Sequence, residues 1–310
     1  MITIYRSTEH GLITLDAPAR GCWINVTNPS ADEILRLQSE FRIPPDFLTH
    51  SLDVDELART EQEDGETLIV LRVPYFEGEH ADVPYTALPF GIVLLDDYLV
   101  TICRRETELA RELASGRVRG LSTAKHNRFV LQALLIMGEK YLAYLRSINK
   151  AIDVLEDELQ RSLRNREVMG LLKYQKSLVY FETALRSDEL TLEQLQRHAM
   201  FQTYPEDAGL LEDVLIEIRQ AIEMMSITNG ILSSMMDAFA SIISNNLNVV
   251  LKALTSLTII LAFPTMIASF YGMNVGMPFQ NEPGAFALVI ALSLVVAAGV
   301  AWVFWRKDWL

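Results

Sequence analysis

Small and polar residues recur at alternating intervals of four and three positions between residues 237 and 272, within a stretch that becomes strongly apolar. This spacing keeps them on one face of an α-helix. A polar face inside a membrane must contact protein or water, so it lines either a tight helix interface or a water-filled pore. An acid and an amide near its start favour the pore. The members of this polar stripe are Asp237, Ser241, Ser244, Asn248, Leu251, Thr255, Thr258, Ala262, Thr265, Ser269 and Gly272.

Leu251 is the one bulky apolar member of the polar stripe. Around a symmetric axis it would form a hydrophobic ring, and such a ring can close a water-filled path by dewetting. Leu254 lies three residues further on and would add a second bulky apolar side chain to the constricted region. Leu251 and Leu254 are therefore the candidate gate residues.

The polar stripe ends in the tripeptide Gly272-Met273-Asn274. Taken alone, Gly272 fits a helix C-cap and Asn274 fits a turn. Here the tripeptide stands at the end of the first of two apolar C-terminal segments, where an ordinary turn is the less favoured interpretation.

Two runs without a charged residue, 253–271 and 285–305, are each long enough to cross a membrane, which takes about 20 helical residues. The alternative, two buried core helices, is disfavoured by their length and adjacency. Lys252 precedes the first run, Arg306 and Lys307 follow the second, and the connection has no Lys or Arg. Basic flanks stay in the cytoplasm, so both termini are expected there, with the chain in the cell membrane.

The sequence before the first apolar run indicates the secondary-structure elements that must position the two runs. Residues 1–125 alternate strand-like and helical runs, and Ser30 with Glu33 forms a capping box before an amphipathic helix. Three long helices follow, over residues 124–164, 167–200 and 206–271. At 1.5 Å per residue the third would be roughly 100 Å long, and so long a helix needs partners along its length. Oligomerisation is therefore expected.

Composition excludes several classes of protein. The formal net charge is −13 and no cluster of Lys and Arg is present, which argues against a nucleic-acid partner. Cys22 and Cys103 lie too far apart in sequence for a zinc motif and fit a reducing compartment. The sequence contains no P-loop, His-Glu-x-x-His or Gly-x-Ser-x-Gly motif, so an enzyme is not expected.

The whole arrangement resembles the CorA family of magnesium and cobalt transport proteins. An α/β domain, long helices, two C-terminal spans and Gly-Met-Asn after the first span all match that family. The segments Trp23-Ile24-Asn25-Val26 and Arg306-Lys307-Asp308-Trp309-Leu310 are similar to it as well. The implied fold class is α+β, with a mixed α/β cytoplasmic domain at 1–123, a long-helix stalk at 124–248 and a two-helix transmembrane domain at 249–310.

The resemblance implies a funnel-shaped homopentamer that passes Mg²⁺, with the first span lining the pore. Mg²⁺ releases its water reluctantly, so neutral oxygens of Gly272, Met273 and Asn274 would select the hydrated ion at the pore entrance. Relatives also pass Co²⁺ and Ni²⁺, and a zinc-handling branch differs at the middle residue of the tripeptide. A transporter of these metals and a non-conducting membrane-anchored sensor or scaffold remain the alternatives.

In this family, internal Mg²⁺ binds carboxylates between neighbouring subunits and holds the channel closed. The resemblance places Asp213 at the position of the acid on the long helix. His50 stands where the partner acid is expected, and neutral His is a poor ligand for Mg²⁺. Asp53 or Asp55, just downstream, would replace it as the regulatory ligand. An ordinary solvated surface is the alternative for all three acids.

Overall fold

The computed structural model divides into two compact units, Met1–Ser233 and Ser234–Leu310. The first is an α/β unit, and the second holds two apolar helices. This architecture confirms the expected fold class, whereas the three-part division at residues 123 and 248 stays a prediction. The structure describes residues 1–9, 11–63, 65–162, 165–197, 207–276, 283–307 and 309.

A seven-stranded mixed sheet forms the centre of the first unit. Its order is β2-β1-β3-β7-β6-β5-β4, and all neighbours are antiparallel except β3 and β7. The strands are β1 Ile2–Thr8, β2 Gly11–Leu15, β3 Trp23–Thr27, β4 Arg59–Glu63, β5 Glu66–Phe76, β6 Tyr85–Leu94 and β7 Leu99–Cys103.

The helices are α1 Ala31–Ser39, α2 Pro45–Leu52, α3 Glu108–Ala114, α4 His126–Ser162, α5 Asn165–Arg197, α6 Ala208–Tyr271 and α7 Ala285–Arg306. The three predicted long helices are thus confirmed as α4, α5 and α6, within a few residues at each end. The capping box before α1 is also confirmed, because Ser30 and Glu33 exchange both hydrogen bonds.

Helices cover both faces of the sheet, since successive side chains of a strand point to opposite faces. Ile24 of β3 belongs to a core cluster with Leu37 of α1 and Phe47 of α2. Trp23, its neighbour, packs instead against Phe129 of α4, with ring centroids 5.1 Å apart. The sheet is therefore the middle layer of three.

Helices α4 and α5 replace a missing strand at one edge of the sheet. Strand β4 begins opposite Val70, so Arg72 of β5 has no partner on that side. Its main-chain N–H donates to Asp188 Oδ1 at 2.8 Å, and its carbonyl accepts from the Tyr141 hydroxyl at 2.7 Å. Asp188 is fully buried, and burial raises its pKa well above the usual value.

The Arg72 guanidinium fixes the loop that follows α2. It donates to the carbonyls of Val54 and Glu56 at 2.7 and 2.9 Å, and to the carbonyl of Ala87 at 2.7 Å. Three charge-assisted hydrogen bonds from one nearly buried side chain hold the loop against the sheet. This loop contains Asp53 and Asp55, the predicted regulatory acids.

Candidate ion pathway and regulatory acids

Every member of the polar stripe is exposed in the single chain. The more covered residues of the first apolar segment are Ser256, Ile259, Ile260, Phe263, Pro264, Ile267 and Tyr271. At about 100° per residue, these lie about 160° around α6 from the apolar-segment part of the stripe. The apolar-segment part of the stripe therefore lies on the side of α6 that the described part of the chain leaves uncovered.

Hydroxyl groups along the stripe bond back to their own helix. Ser241 donates to the Asp237 carbonyl at 3.0 Å, Thr258 to the Leu254 carbonyl at 2.8 Å and Thr265 to the Leu261 carbonyl at 2.9 Å. Each proton is thus used within α6, and the oxygen lone pairs remain as acceptors. Acceptors suit the water protons of a hydrated cation.

Part of the stripe lies in a shallow groove on α6. Thr258, Ala262, Thr265 and Ser269 line it together with larger apolar side chains, and its volume is about 520 Å³. Small residues at the stripe positions make this face concave. Such a face is compatible with a water-filled path and with close helix packing.

Gly272, Met273 and Asn274 directly follow the last residue of α6, and all three are exposed. The Gly272 amide completes the final turn by donating to the carbonyls of Ala268 and Ser269 at 3.0 and 3.2 Å. Gly272 does not adopt the left-handed conformation that a glycine C-cap uses. The C-cap interpretation therefore does not explain why glycine stands at this position.

The candidate gate residues protrude from the same helix. Leu251 is 48% and Leu254 is 59% exposed. Side chains of this size, exposed in one chain, are available to pack against copies of themselves. Their role as a gate stays a prediction, because it depends on contacts between copies of the chain.

The predicted regulatory acids are exposed but are not brought together as a metal site in one chain. Asp53 ends α2, and its Oδ1 accepts the amide of Asp55 at 3.1 Å. Asp213 lies near the start of α6. Within the described parts of one chain, no group of three or more His, Cys, Asp or Glu side chains is placed to hold a metal ion.

His50 lies beside a guanidinium group, which the sequence analysis missed. Its Nδ1 accepts a hydrogen bond from Arg59 Nη2 at 2.7 Å and lies 3.4 Å from Glu61 Oε2. Arg59 also pairs with Glu61 at 3.0 Å and with Glu56 at 3.3 Å. A fixed positive charge beside His50 disfavours a metal cation there. The signal in the sequence is faint, because Arg59 is nine residues away on another element.

Helices α6 and α7 are each long and apolar enough to span a membrane. Joined to the α/β unit and the tripeptide after the first span, they define a two-span membrane protein of the divalent-cation transport class. A comparison with known families is more specific. The chain belongs to the family of CorA-like Mg²⁺ transporter proteins, which it matches over residues 18–307.

Individual relatives agree with this assignment. A cobalt/magnesium transport protein CorA of Methanocaldococcus jannaschii is 31% identical over 299 residues, covering 93% of this chain and 91% of the relative. One from Thermotoga maritima is 24% identical and covers 93% and 83%. The complete structure of the CorA magnesium transporter from M. jannaschii superposes with a TM-score of 0.87 at 26% identity, covering 100% of this chain and 99% of that one.

Proposed function

We propose that this protein is a homo-oligomeric channel, a pentamer by family resemblance, which passes hydrated Mg²⁺ across the cell membrane. The observation that carries this proposal is the uncovered polar stripe, which continues along α6 to the exposed tripeptide Gly272-Met273-Asn274. A stripe with this exposure needs water or other protein around it. Copies of α6 arranged about an axis supply both.

The driving force for such a channel is the electrochemical gradient. Two charges moving through 100 mV gain about 4.6 kcal/mol, so no nucleotide hydrolysis is required. The activity moves an ion and makes or breaks no covalent bond, and no enzymatic step is proposed. The large N-terminal unit and the C-terminus would lie in the cytoplasm, with lipid around the spans and no nucleic-acid partner.

Ion recognition is assigned to the tripeptide. The Asn274 amide oxygen and the carbonyls of Gly272 and Met273 accept hydrogen bonds from the water shell of the ion. Neutral acceptors hold the hydrated cation weakly enough to release it. Co²⁺ is a second candidate cargo, because the two transport proteins compared above are both named for cobalt and magnesium.

Regulation by internal Mg²⁺ is assigned to Asp213 together with Asp53 and Asp55 of a neighbouring copy. Carboxylates are the preferred protein ligands for this ion. The described residues of one chain do not group three such ligands, and the proposed site therefore draws on a neighbouring copy. His50 is left out because its ring nitrogen already binds Arg59.

Flux into liposomes with a negative interior tests the proposal. Asn274→Ala should lower Mg²⁺ flux at least about tenfold, since a hydrogen bond to the water shell, contributing about 0.5–1.5 kcal/mol, is lost from every subunit. Asn246→Ala, at an exposed asparagine of α6 outside the stripe, is the matched control and should retain flux. Equal flux in the wild type and Asn274→Ala would move ion recognition away from the tripeptide. No flux from folded wild type would contradict the channel.

A further inference from the structure

The chain turns back on itself after α7. The Lys307 amide closes the last turn by donating to the carbonyls of Val303 and Phe304 at 3.2 and 3.1 Å. The Trp309 amide donates to the same Phe304 carbonyl at 3.0 Å. The two aromatic rings of Phe304 and Trp309 stack with centroids 5.5 Å apart and planes 2° from parallel. Both the backbone and the ring of Trp309 are therefore held by α7.

The returning chain contacts α6 at Ser256. The Ser256 hydroxyl donates to the Lys252 carbonyl at 2.8 Å and shares its proton with the Trp309 carbonyl at 3.4 Å. Ser256 is fully buried, although its neighbours Thr255 and Leu257 are exposed. A single buried residue in an exposed stretch marks a specific local contact. We call Trp309, with its contacts to Phe304 and Ser256, the C-terminal hook.

The hook meets α6 at the level of the candidate gate. Ser256 lies two residues after Leu254, which corresponds to a rise of about 3 Å. It is the immediate neighbour of Thr255 in the polar stripe, rotated by about 100° around the helix. The contact therefore lies at the same height along α6 as this part of the stripe, but on a different side of the helix.

We propose that Trp309 is a positioning residue for α6, which ties the end of the second span to the first span beside the candidate gate. Polar groups near the hydrocarbon have few alternative partners, so the Ser256 hydroxyl and the Trp309 carbonyl favour the docked arrangement. Stacking on Phe304 holds the backbone of Trp309 in place for this contact. The effect on ion flow rests on the proposed channel function, whereas the contact does not.

A cysteine at position 256, which is close to serine in size and keeps a weak S–H donor, reports on how far Trp309 covers this position. The natural Cys22 and Cys103 are both buried, so full-length Ser256→Cys in liposomes presents one new thiol to a maleimide reagent. With Trp309 intact this thiol should be protected. Adding Trp309→Ala should raise its initial labelling rate about tenfold, as expected for loss of a local packing contact.

Two further variants distinguish loss of the specific Trp309 contact from a general loosening of α7. Trp305→Ala removes a tryptophan that is 68% exposed on the same helix and should leave the thiol protected. Trp309→Phe keeps an aromatic ring to stack on Phe304 and should also keep it protected. Equal labelling in the Trp309 and Trp305 alanine variants would overturn the hook.

Mg²⁺ flux tests the positioning role in the same preparations without the added cysteine. Trp309→Ala should shift the internal Mg²⁺ concentration for half-inhibition about fivefold, within the range of one aromatic pair, while Trp305→Ala should not. Faster labelling with an unchanged half-inhibition would overturn the positioning role. Absence of wild-type flux would overturn the channel and that role together, while protection of the thiol would still establish the contact.

Discussion

Among the described residues of one chain, nothing explains why glycine begins the Gly-Met-Asn tripeptide. Gly272 is not in the left-handed conformation. A Cβ placed there would lie 3.5 Å from the Ala268 carbonyl oxygen and 3.6 Å from that of Ser269, which are ordinary contacts. A side chain at this position would therefore meet an obstacle only outside the described part of the chain. Copies of the same segment around an ion path would provide such an obstacle.

Gly272→Ala should consequently separate stability from transport. We expect the thermal midpoint of the detergent-solubilised protein to stay within about 2 °C, because alanine fits the single chain. Mg²⁺ flux in liposomes should fall at least about tenfold, because the added methyl groups crowd the axis and displace the neighbouring carbonyls. Unchanged flux would contradict close approach of this segment in the assembly.

Asp188 is a second residue whose environment matters, because its burial changes the pKa of its carboxyl group. Its Oδ1 accepts the Arg72 amide, but among the described residues no hydrogen-bond partner reaches its Oδ2. Burial raises the pKa of the carboxyl, while the Arg72 amide and the Arg72 charge oppose this rise. The folded state therefore binds this proton more tightly than the unfolded state does. The stabilisation is complete below the ordinary pKa and is lost as pH rises through the raised one.

Asp188→Asn should remove this pH dependence while keeping the shape and the hydrogen bond to Arg72. As pH rises above about 4, the ordinary pKa of an aspartate, the thermal midpoint of the wild type should fall relative to that of the variant. Thermal melts of both full-length proteins over this rise in pH provide the measurement. Parallel profiles would show that Asp188 does not titrate with folding.

At the scale of elements, α6 combines a covered and an uncovered face. Ser256 and Ile260 belong to the covered side, while Thr265 and Ser269 lie on the uncovered polar stripe. Small residues there leave a groove rather than a ridge. A groove that carries small and hydroxyl side chains on a helix of this apolarity is expected to face copies of the same helix and the water between them.

A bulky side chain on each side of α6 tests which face lines the path. Ser269→Trp should abolish Mg²⁺ flux in liposomes, because the indole would fill a narrow path from every subunit. Ala268→Trp is the matched control, since Ala268 is exposed, adjacent and about 100° off the stripe. It should retain most of the flux. The reverse result would place the path on another face of α6.

At the scale of the whole molecule, the regulation that we propose depends on assembly. Asp213, Asp53 and Asp55 are exposed carboxylates, and the described part of one chain places no group of three or more His, Cys, Asp or Glu side chains to hold a metal ion. Clustered carboxylates repel one another until a divalent cation bridges them. If Mg²⁺ bridges two subunits more tightly in the closed state than in the open state, its binding would shift the channel population toward the closed state.

Asp213→Ala should therefore weaken inhibition by internal Mg²⁺. We expect the half-inhibiting concentration in current recordings to rise about tenfold, in the range of a typical coupling free energy. Glu212→Ala removes an equally charged, exposed neighbour on the same helix and should have a smaller effect. Unchanged inhibition in Asp213→Ala would remove this acid from the regulatory site.

The sequence alone determined the properties that depend on neighbours along the chain. The two apolar segments, the long helices, the polar stripe of α6 and the Ser30–Glu33 capping box are local patterns, set by helical periodicity and side-chain chemistry. The Gly-Met-Asn tripeptide indicated the family in the same way. The structure keeps the stripe exposed, and its role in ion passage stays a prediction.

Only the tertiary structure decided which distant residues meet. The parallel pairing of β3 with β7, the capture of the Arg72 amide by Asp188, the pairing of His50 with Arg59 and the return of Trp309 to Ser256 join residues from different elements. Such contacts leave no periodic signal, because they depend on how complete elements pack rather than on spacing within one of them. Packing therefore placed a positive charge beside His50 and buried one serine of the first span.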